Sequence, residues 1–213
     1  MKGDRSRRRI AILGLSTLVI AAILAEAGVS AGADSRIQIR EPQYGFSFAL
    51  PANWKQVPLD GSDITDLLNT ATHDDPTLAN GLSTEVKAGA AKGMKVFAIG
   101  PIVGSSVPNV NVIVASSAGE PTGHAFAQSS VTEAKIEFAE IGAQQIKASI
   151  VHTRLGLVAE VTYMLNIKNS APLFGSQLYL LHTSHVDIVT ATTPKASESR
   201  SDLQLVIESW QWK

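Results

Sequence analysis

The chain has 213 residues, no cysteine, 18 Lys plus Arg against 19 Asp plus Glu, and a net charge of −1. A body without a basic cluster lacks the positive face that nucleic acid requires and the electrostatic grip that anionic lipid requires. The lack of cysteine excludes disulfides, thiolate metal sites, a cysteine nucleophile and a lipid attached at a signal-cleavage cysteine.

Residues 1–33 read as a secretory signal. Lys2, Arg5, Arg7, Arg8 and Arg9 form a basic head, Ile10 to Ala25 is an apolar stretch of 16 residues, and Ala31-Gly32-Ala33 offers a small-residue cleavage motif. The stretch is shorter than the roughly 18 residues that favour a spanning helix; an uncleaved anchor is the alternative. The arginine pair in SRRRIAIL suits either the general or the twin-arginine export route. Residues 1–33 carry five basic and two acidic side chains, so the remainder has a net charge of −4. Residues 34–213 are enough to bury their own core and are expected to form one domain.

In the mature chain, Ile37 and Ile39 alternate briefly. In YGFSFALPANWKQV, residues 44–57, Phe46 and Phe48 alternate with Ser47, as in a half-buried strand. Pro51 cannot donate to a ladder and is expected to end that strand. An irregular hairpin returning through Trp54 follows. Ile64, Leu67, Leu68 and Ala71 then mark one helix face, with Ser62 as its cap. Asp75-Pro76 opens a second helix, with Leu78, Leu82 and Val86 as its stripe. MKVFAI (94–99) and NVNVIVAS (109–116) are strands separated by Pro101, Gly104 and Pro108. Ser130 and Glu133 match a capping box, predicting a third helix with Val131, Ala134, Phe138 and Ile141 on one face. Strands follow through Ile146–Val151, Leu157–Asn166 and QLYLLHTSHVDIVTAT. A last helix carries Leu203, Val206, Ile207 and Trp210, with a short strand possible through Trp210–Trp212. Short turns between strands predict antiparallel pairing, and helices that interrupt and flank them make the class α+β. The expected architecture is an antiparallel sheet of about six or seven strands flanked by helices, an α/β/α sandwich.

Motifs for chemistry are sparse. GLSTE (81–85) and GSSVP (104–108) both lack the final glycine of a nucleophile elbow, and no phosphate-cradling glycine loop occurs. The best polar constellation is HTSHVD. If Thr183-Ser184 is a two-residue tip, His182 and His185 face each other across a ladder and Asp187 shares a face with His185. Such a trio could hold zinc or copper. Two solvated histidines beside a loop are the plainer reading, because Thr-Ser is a poor two-residue turn. No catalytic residue, no metal site and no cofactor is therefore expected, and the ligand-binding residues are unassigned. His73, Asp74 and Asp75 fit helix capping. His124 falls in a loop and His152 at a strand end. Glu133, Glu137 and Glu140 could be paired carboxylates, but a solvated helix face explains them. Phe46, Phe48, Trp54, Trp210 and Trp212 fit a core better than a ligand groove.

Gly45, Phe46, Phe48, Pro51 and Trp54 resemble the G-F-x-F-x-x-P-x-x-W opening of the PsbP/Mog1-like fold. The element order from about Gln38 to Trp212 is similar too. The resemblance extends to actinobacterial envelope proteins of the LpqN type, although those lipoproteins carry a cysteine that this chain lacks. It implies a non-enzymatic protein and offers no catalytic motif to place on these residues. The expected function is that of an exported, non-catalytic cell-envelope protein, outside the cytoplasmic membrane, that binds a partner protein or an envelope lipid or glycan. Two alternatives stand beside it. One is a metal-dependent or hydrolytic enzyme using His182, His185 and Asp187. The other is a carrier of an apolar ligand between sheet and helices.

Overall fold

A computed structural model describes residues 36–59, 68, 76–102, 107–166 and 172–213. The export segment 1–33, the His73–Asp75 cluster and, apart from a buried Leu68, the helix expected at 64–71 lie outside the described residues. In chain order the elements are β1 (Arg36–Glu41), β2 (Phe46–Pro51), β3 (Lys55–Gln56), α1 (Pro76–Ala91), β4 (Met94–Ile99), β5 (Asn109–Ser116) and α2 (Gly123–Glu140). They continue with β6 (Gln144–Thr153), β7 (Gly156–Leu165), β8 (Leu173–Leu181), β9 (His185–Thr193), α3 (Ala196–Ser209) and β10 (Gln211–Trp212).

Among the described residues, ten strands form two antiparallel sheets. The larger has seven strands in the order β3-β4-β5-β9-β8-β7-β6, and the smaller has three in the order β1-β2-β10. The sequence predicts the larger sheet; the second sheet comes with a correction. β2 does not turn back on itself through Trp54. It pairs with β1 through the Pro42–Gly45 turn, and Lys55 and Gln56 pair with Ile99 and Ala98 on β4 in the other sheet. Pro51 ends β2 as expected, and the turn closed by Trp54 N–H donating to the Pro51 carbonyl at 3.0 Å carries the chain between layers. Trp54 thereby lands in the space between the two sheets. Its ring lies against Gly100, where an added Cβ would come within 2.9 Å of it.

Each face of the large sheet has its own core. On one face the small sheet and α3 enclose Phe46, Phe48, Leu50, Trp54, Val110, Val112, Leu178, Val189, Leu203 and Trp210. Trp210 is fully buried, with ring centroids 4.7 Å from Phe46 and 5.3 Å from Phe48. These aromatics are filler, as the alternation along β2 predicts for Phe46 and Phe48; Trp210 caps the C-terminus of α3 and continues its apolar face. On the other face, α1 packs Leu82 and Val86 over Phe97 and Ile99 of β4. α2 packs Phe126, Val131, Ala134 and Phe138 over β7 and β8.

α2 also corrects the sequence reading. It begins at Gly123, well before Ser130, and its N-cap Thr122 makes no side-chain cap bond. Ser130 is buried inside the helix, so Ser130 and Glu133 are no capping box. The helix extends back because Phe126 and Ala127 have a sheet face to bury against, and tertiary burial outweighs a local capping preference of about 1 kcal/mol. His124 accordingly sits in the first turn of α2 and not in a loop.

Candidate functional site

The β8–β9 hairpin closes with Thr183-Ser184 as a two-residue tip. Leu181 pairs with Val186, and His182 N–H donates to the His185 carbonyl at 2.9 Å. The conditional placement made from sequence is therefore met: His182 and His185 flank the tip with ring centroids 4.8 Å apart. Asp187 lies one step along the same face as His185, and their Oδ2 and Nε2 atoms are 3.4 Å apart.

Neighbouring elements complete a recess here. Trp212 of β10 stacks on His182 with centroids 4.4 Å apart and meets His185 edge-on at 6.1 Å. Pro42 to Gly45 of the β1–β2 turn and Val114 to Ser116 of β5 form the opposite wall, enclosing a recess of about 530 Å³ together with His182, Ser184 and His185. The Lys95 ammonium sits 5.1 Å from the Tyr44 ring centre. Gly45 adopts φ +69°, where a side chain would be strained. Its carbonyl accepts from Lys213 N–H at 2.8 Å, pinning the chain end beside the recess.

The electrostatics are unusual. Asp187 is fully buried, and neither carboxyl oxygen has a hydrogen-bond partner. Burial pushes its pKa up to about 8, so at neutral pH the carboxyl is largely protonated. His185 is held below its ordinary value, first by burial and then by the neighbouring His182. Although the two side chains are within ion-pairing distance, His185 Nε2 makes no aligned hydrogen bond. The geometry therefore describes a neutral pair in contact. His185 Nδ1 meets Ser184 Oγ at 3.0 Å. Among the described residues, no three His, Asp or Glu side chains are grouped so as to hold a metal ion.

A larger groove of about 830 Å³ runs between β6–β7 and α3, past His152, Arg154, Glu160 and Arg200. Several of its charged groups already have partners within the chain. Arg200 reaches both Glu160 oxygens at 3.4 Å, and Arg154 Nε donates to the Ile207 carbonyl at 3.0 Å. The smaller recess is the better candidate because one of its lining residues, His185, leans on the buried and unpartnered Asp187 carboxyl. Sequence reasoning found His182, His185 and Asp187 but not Tyr44 as a wall or Trp212 as a partner of histidine. The missed signal was the alternation Trp210-Gln211-Trp212. Both indoles meet the same core, edge-on at 5.4 Å, but Trp212 stays only partly buried at its margin, where it reaches His182.

Of the three α2 glutamates read as a solvated face, Glu137 departs from that description. It is pushed to a pKa of about 7, first by burial and then by Glu133 and Glu140, and its Oε2 is buried without a partner.

This element order and layering are those of the PsbP/Mog1-like fold. The chain is similar to cyanobacterial PsbP from Synechocystis at 14% identity and a TM-score of 0.50, covering 89% of this chain and 99% of that one. It is also similar to LpqN of Mycobacterium tuberculosis, described as involved in cell envelope biogenesis, at 10% identity and a TM-score of 0.47, over 83% of this chain and 90% of that one. A third is the Ran-binding protein Mog1p of Saccharomyces cerevisiae, at 7% identity and a TM-score of 0.48, over 84% and 96% of the two chains. At such identities the likeness shows the fold alone. No protein-family model and no curated protein matches the chain. Among the described residues, no helix is long and apolar enough to cross a membrane.

Proposed function

We propose that the chain is exported, that residues 1–33 direct it across the cytoplasmic membrane, and that residues 34–213 act there as a non-catalytic binding domain. Its target is an envelope component, a partner protein or an envelope lipid or glycan, taken at the recess between the β1–β2 turn and the β8–β9 hairpin. One observation carries the reading: the rings of Trp212, His182 and His185 cluster at the hairpin tip, and His185 touches a fully buried Asp187 whose oxygens have no hydrogen-bond partner. Such a carboxyl costs stability. Flat rings beside polar groups are the usual makings of a ligand-contact surface. The envelope role of LpqN is in keeping with this reading.

The test is affinity capture from the native envelope, followed by mass spectrometry of retained protein, lipid and glycan. Wild type is compared with Trp212→Ala and His182→Ala. One class of component retained by wild type and lost from both variants is the expected result. Equal retention by all three proteins would remove the recess from consideration.

A second reading has one observation in its favour. Ser184 Oγ, His185 and Asp187 lie in a line with spacings of 3.0 and 3.4 Å, the order of a hydrolytic relay. A carboxyl with a pKa of about 8 is mostly neutral near pH 7 and does not stabilise an imidazolium. Labelling of Ser184 by a fluorophosphonate probe would restore the hydrolase reading.

A further inference from the structure

The large sheet ends on an uncovered strand. β6 is 10 residues long and, among the described residues, pairs only with β7. The other edges are blunted: β3 and β10 have 2 residues each, and β1 carries Arg36, Arg40 and Glu41. β6 contains no proline, and Lys147 is its one charged side chain, histidine being neutral. A long edge of this kind is a template for another strand.

The β6–β7 turn fixes which backbone groups are free. Arg154 and Leu155 form a two-residue tip, so Thr153 and Gly156 exchange ladder bonds. Back along the strand, Val151, Ser149 and Lys147 bond to β7 in the same way. The N–H and C=O groups of Ala148, Ile150 and His152 therefore point away from the sheet. Among the described residues, no other backbone group bonds to them. Before Lys147 the register shifts, with Gln145 at φ +53°, and the regular edge ends there. The straight edge is thus Lys147 to Thr153, with Ile150 at its midpoint.

We propose that β6 pairs antiparallel with β6 of a second copy of this chain, about a two-fold axis at Ile150, joining two seven-stranded sheets into one. The register that overlaps the whole edge sets Ala148 against His152 of the second copy and Ile150 against its own counterpart, which gives about six new backbone hydrogen bonds. It sets Ser149 against Val151 and Lys147 against Thr153, so no like charges face each other. Ile150, half-buried at the rim of the α2 core, gains an apolar neighbour in its counterpart. The helices fit as well. α2 packs alike over β6 and β7, so its axis runs between them. The two-fold axis is normal to the sheet and keeps both copies of α2 on one face, two strand spacings or about 10 Å apart. Helices in contact lie about 8–10 Å apart. Glu133 and Glu137 act on Tyr179 of β8, on the flank of α2 turned away from the edge, so the pairing does not oppose carboxylates. β7 separates this edge from the β8–β9 hairpin, and the inference does not depend on the recess.

The chain has no cysteine, which makes the register testable. In the proposed pairing, Ser149 and Val151 of the second copy form a non-bonded pair with Cα atoms about 4.5 Å apart, within reach of a disulfide. Mild oxidation should cross-link a mixture of the single variants Ser149→Cys and Val151→Cys, and neither variant alone. Sedimentation of the full chain should show a concentration-dependent dimer. His152→Pro removes an outward donor and no bond to β7. It should raise the dimer dissociation constant by about tenfold or more, the loss of a symmetry-related pair of hydrogen bonds. Hydrogen exchange at Ala148, Ile150 and His152 should slow as the dimer forms, while Ser149 and Val151 are protected in monomer and dimer alike. If the proline variant does not fold, the cysteine mixture decides. The inference is overturned if the chain stays monomeric at every concentration, if His152→Pro dimerises as wild type does, or if Ser149→Cys cross-links to itself as readily as to Val151→Cys. It is also overturned if the edge amides become protected only when envelope extract is added, which would give the edge to a strand of another protein.

Discussion

Asp187→Asn tests the protonation state assigned to the recess. An Asp whose pKa rises from 3.8 to about 8 on folding keeps its proton in the folded state across that interval and loses it in the unfolded chain. The folded state then binds more protons, so stability falls as pH rises through the window, by about 1.4 kcal/mol per pH unit at most. The contribution is fully present below the unfolded pKa and lost as pH climbs to about 8. Asparagine keeps the shape and does not titrate. The difference in unfolding free energy, variant minus wild type, should therefore grow in favour of Asp187→Asn by about 2.5 kcal/mol between roughly pH 5 and pH 7.

Taking the difference removes other titrating groups, including Asp202, whose pKa burial lifts to about 6, and Glu137. Among the described residues, His185 is the ionisable group in contact with Asp187, at 3.4 Å, with His182 beyond it. The strand partners of Asp187, Val114 and Leu180, are apolar. Urea denaturation at five or six pH values is sufficient. If His185 were instead protonated against an ionised Asp187, removing the carboxylate would destabilise the protein at neutral pH. A difference that is flat, or that turns against the variant as pH rises, refutes the neutral-pair assignment.

Three further substitutions probe packing. Trp54→Ala removes a ring wedged between the sheets against Gly100 and should cost about 3–5 kcal/mol in chemical denaturation; an unchanged melting temperature would contradict its place in the core. Gly175→Ala sets a methyl group into the Tyr163 ring, which covers Gly175 from the paired strand. It should destabilise by about 1–3 kcal/mol, with recovery in the double variant Gly175→Ala/Tyr163→Leu. Ser209→Ala deprives the Ala49 N–H of an acceptor at 2.9 Å and should cost about 1–3 kcal/mol, with faster hydrogen exchange at Ala49.

The fold was legible where one side of an element meets a core and the other meets solvent or a polar neighbour. The stripe on α3 and the runs at 94–99 and 109–116 identify their elements because each buries a periodic set of side chains. Legibility failed where a local signal competed with a distant partner. Pro51 marks the end of β2 correctly, but which sheet Lys55 joins is decided by Ile99. Ser130 and Glu133 have the spacing of a cap and lie within a helix whose start is set by burial of Phe126.

Half of the recess could be read from HTSHVD, since six consecutive residues fix their own geometry once the tip is a two-residue turn. Trp212 could not, because its contact with His182 joins the last strand to a hairpin that is remote in sequence. The asparagine face of β5 is the instructive miss. Val110 and Val112 alternating with Asn109 and Asn111 look like a strand with one wet face. Here the asparagine face is buried as completely as the valine face. Alternation shows that a strand has two different sides but carries no information about whether the polar side meets water. A strand that covers its polar side must supply partners for it, and β5 leaves two amide oxygens without any. That unmet hydrogen-bonding capacity becomes visible only when the layer above the strand is in place.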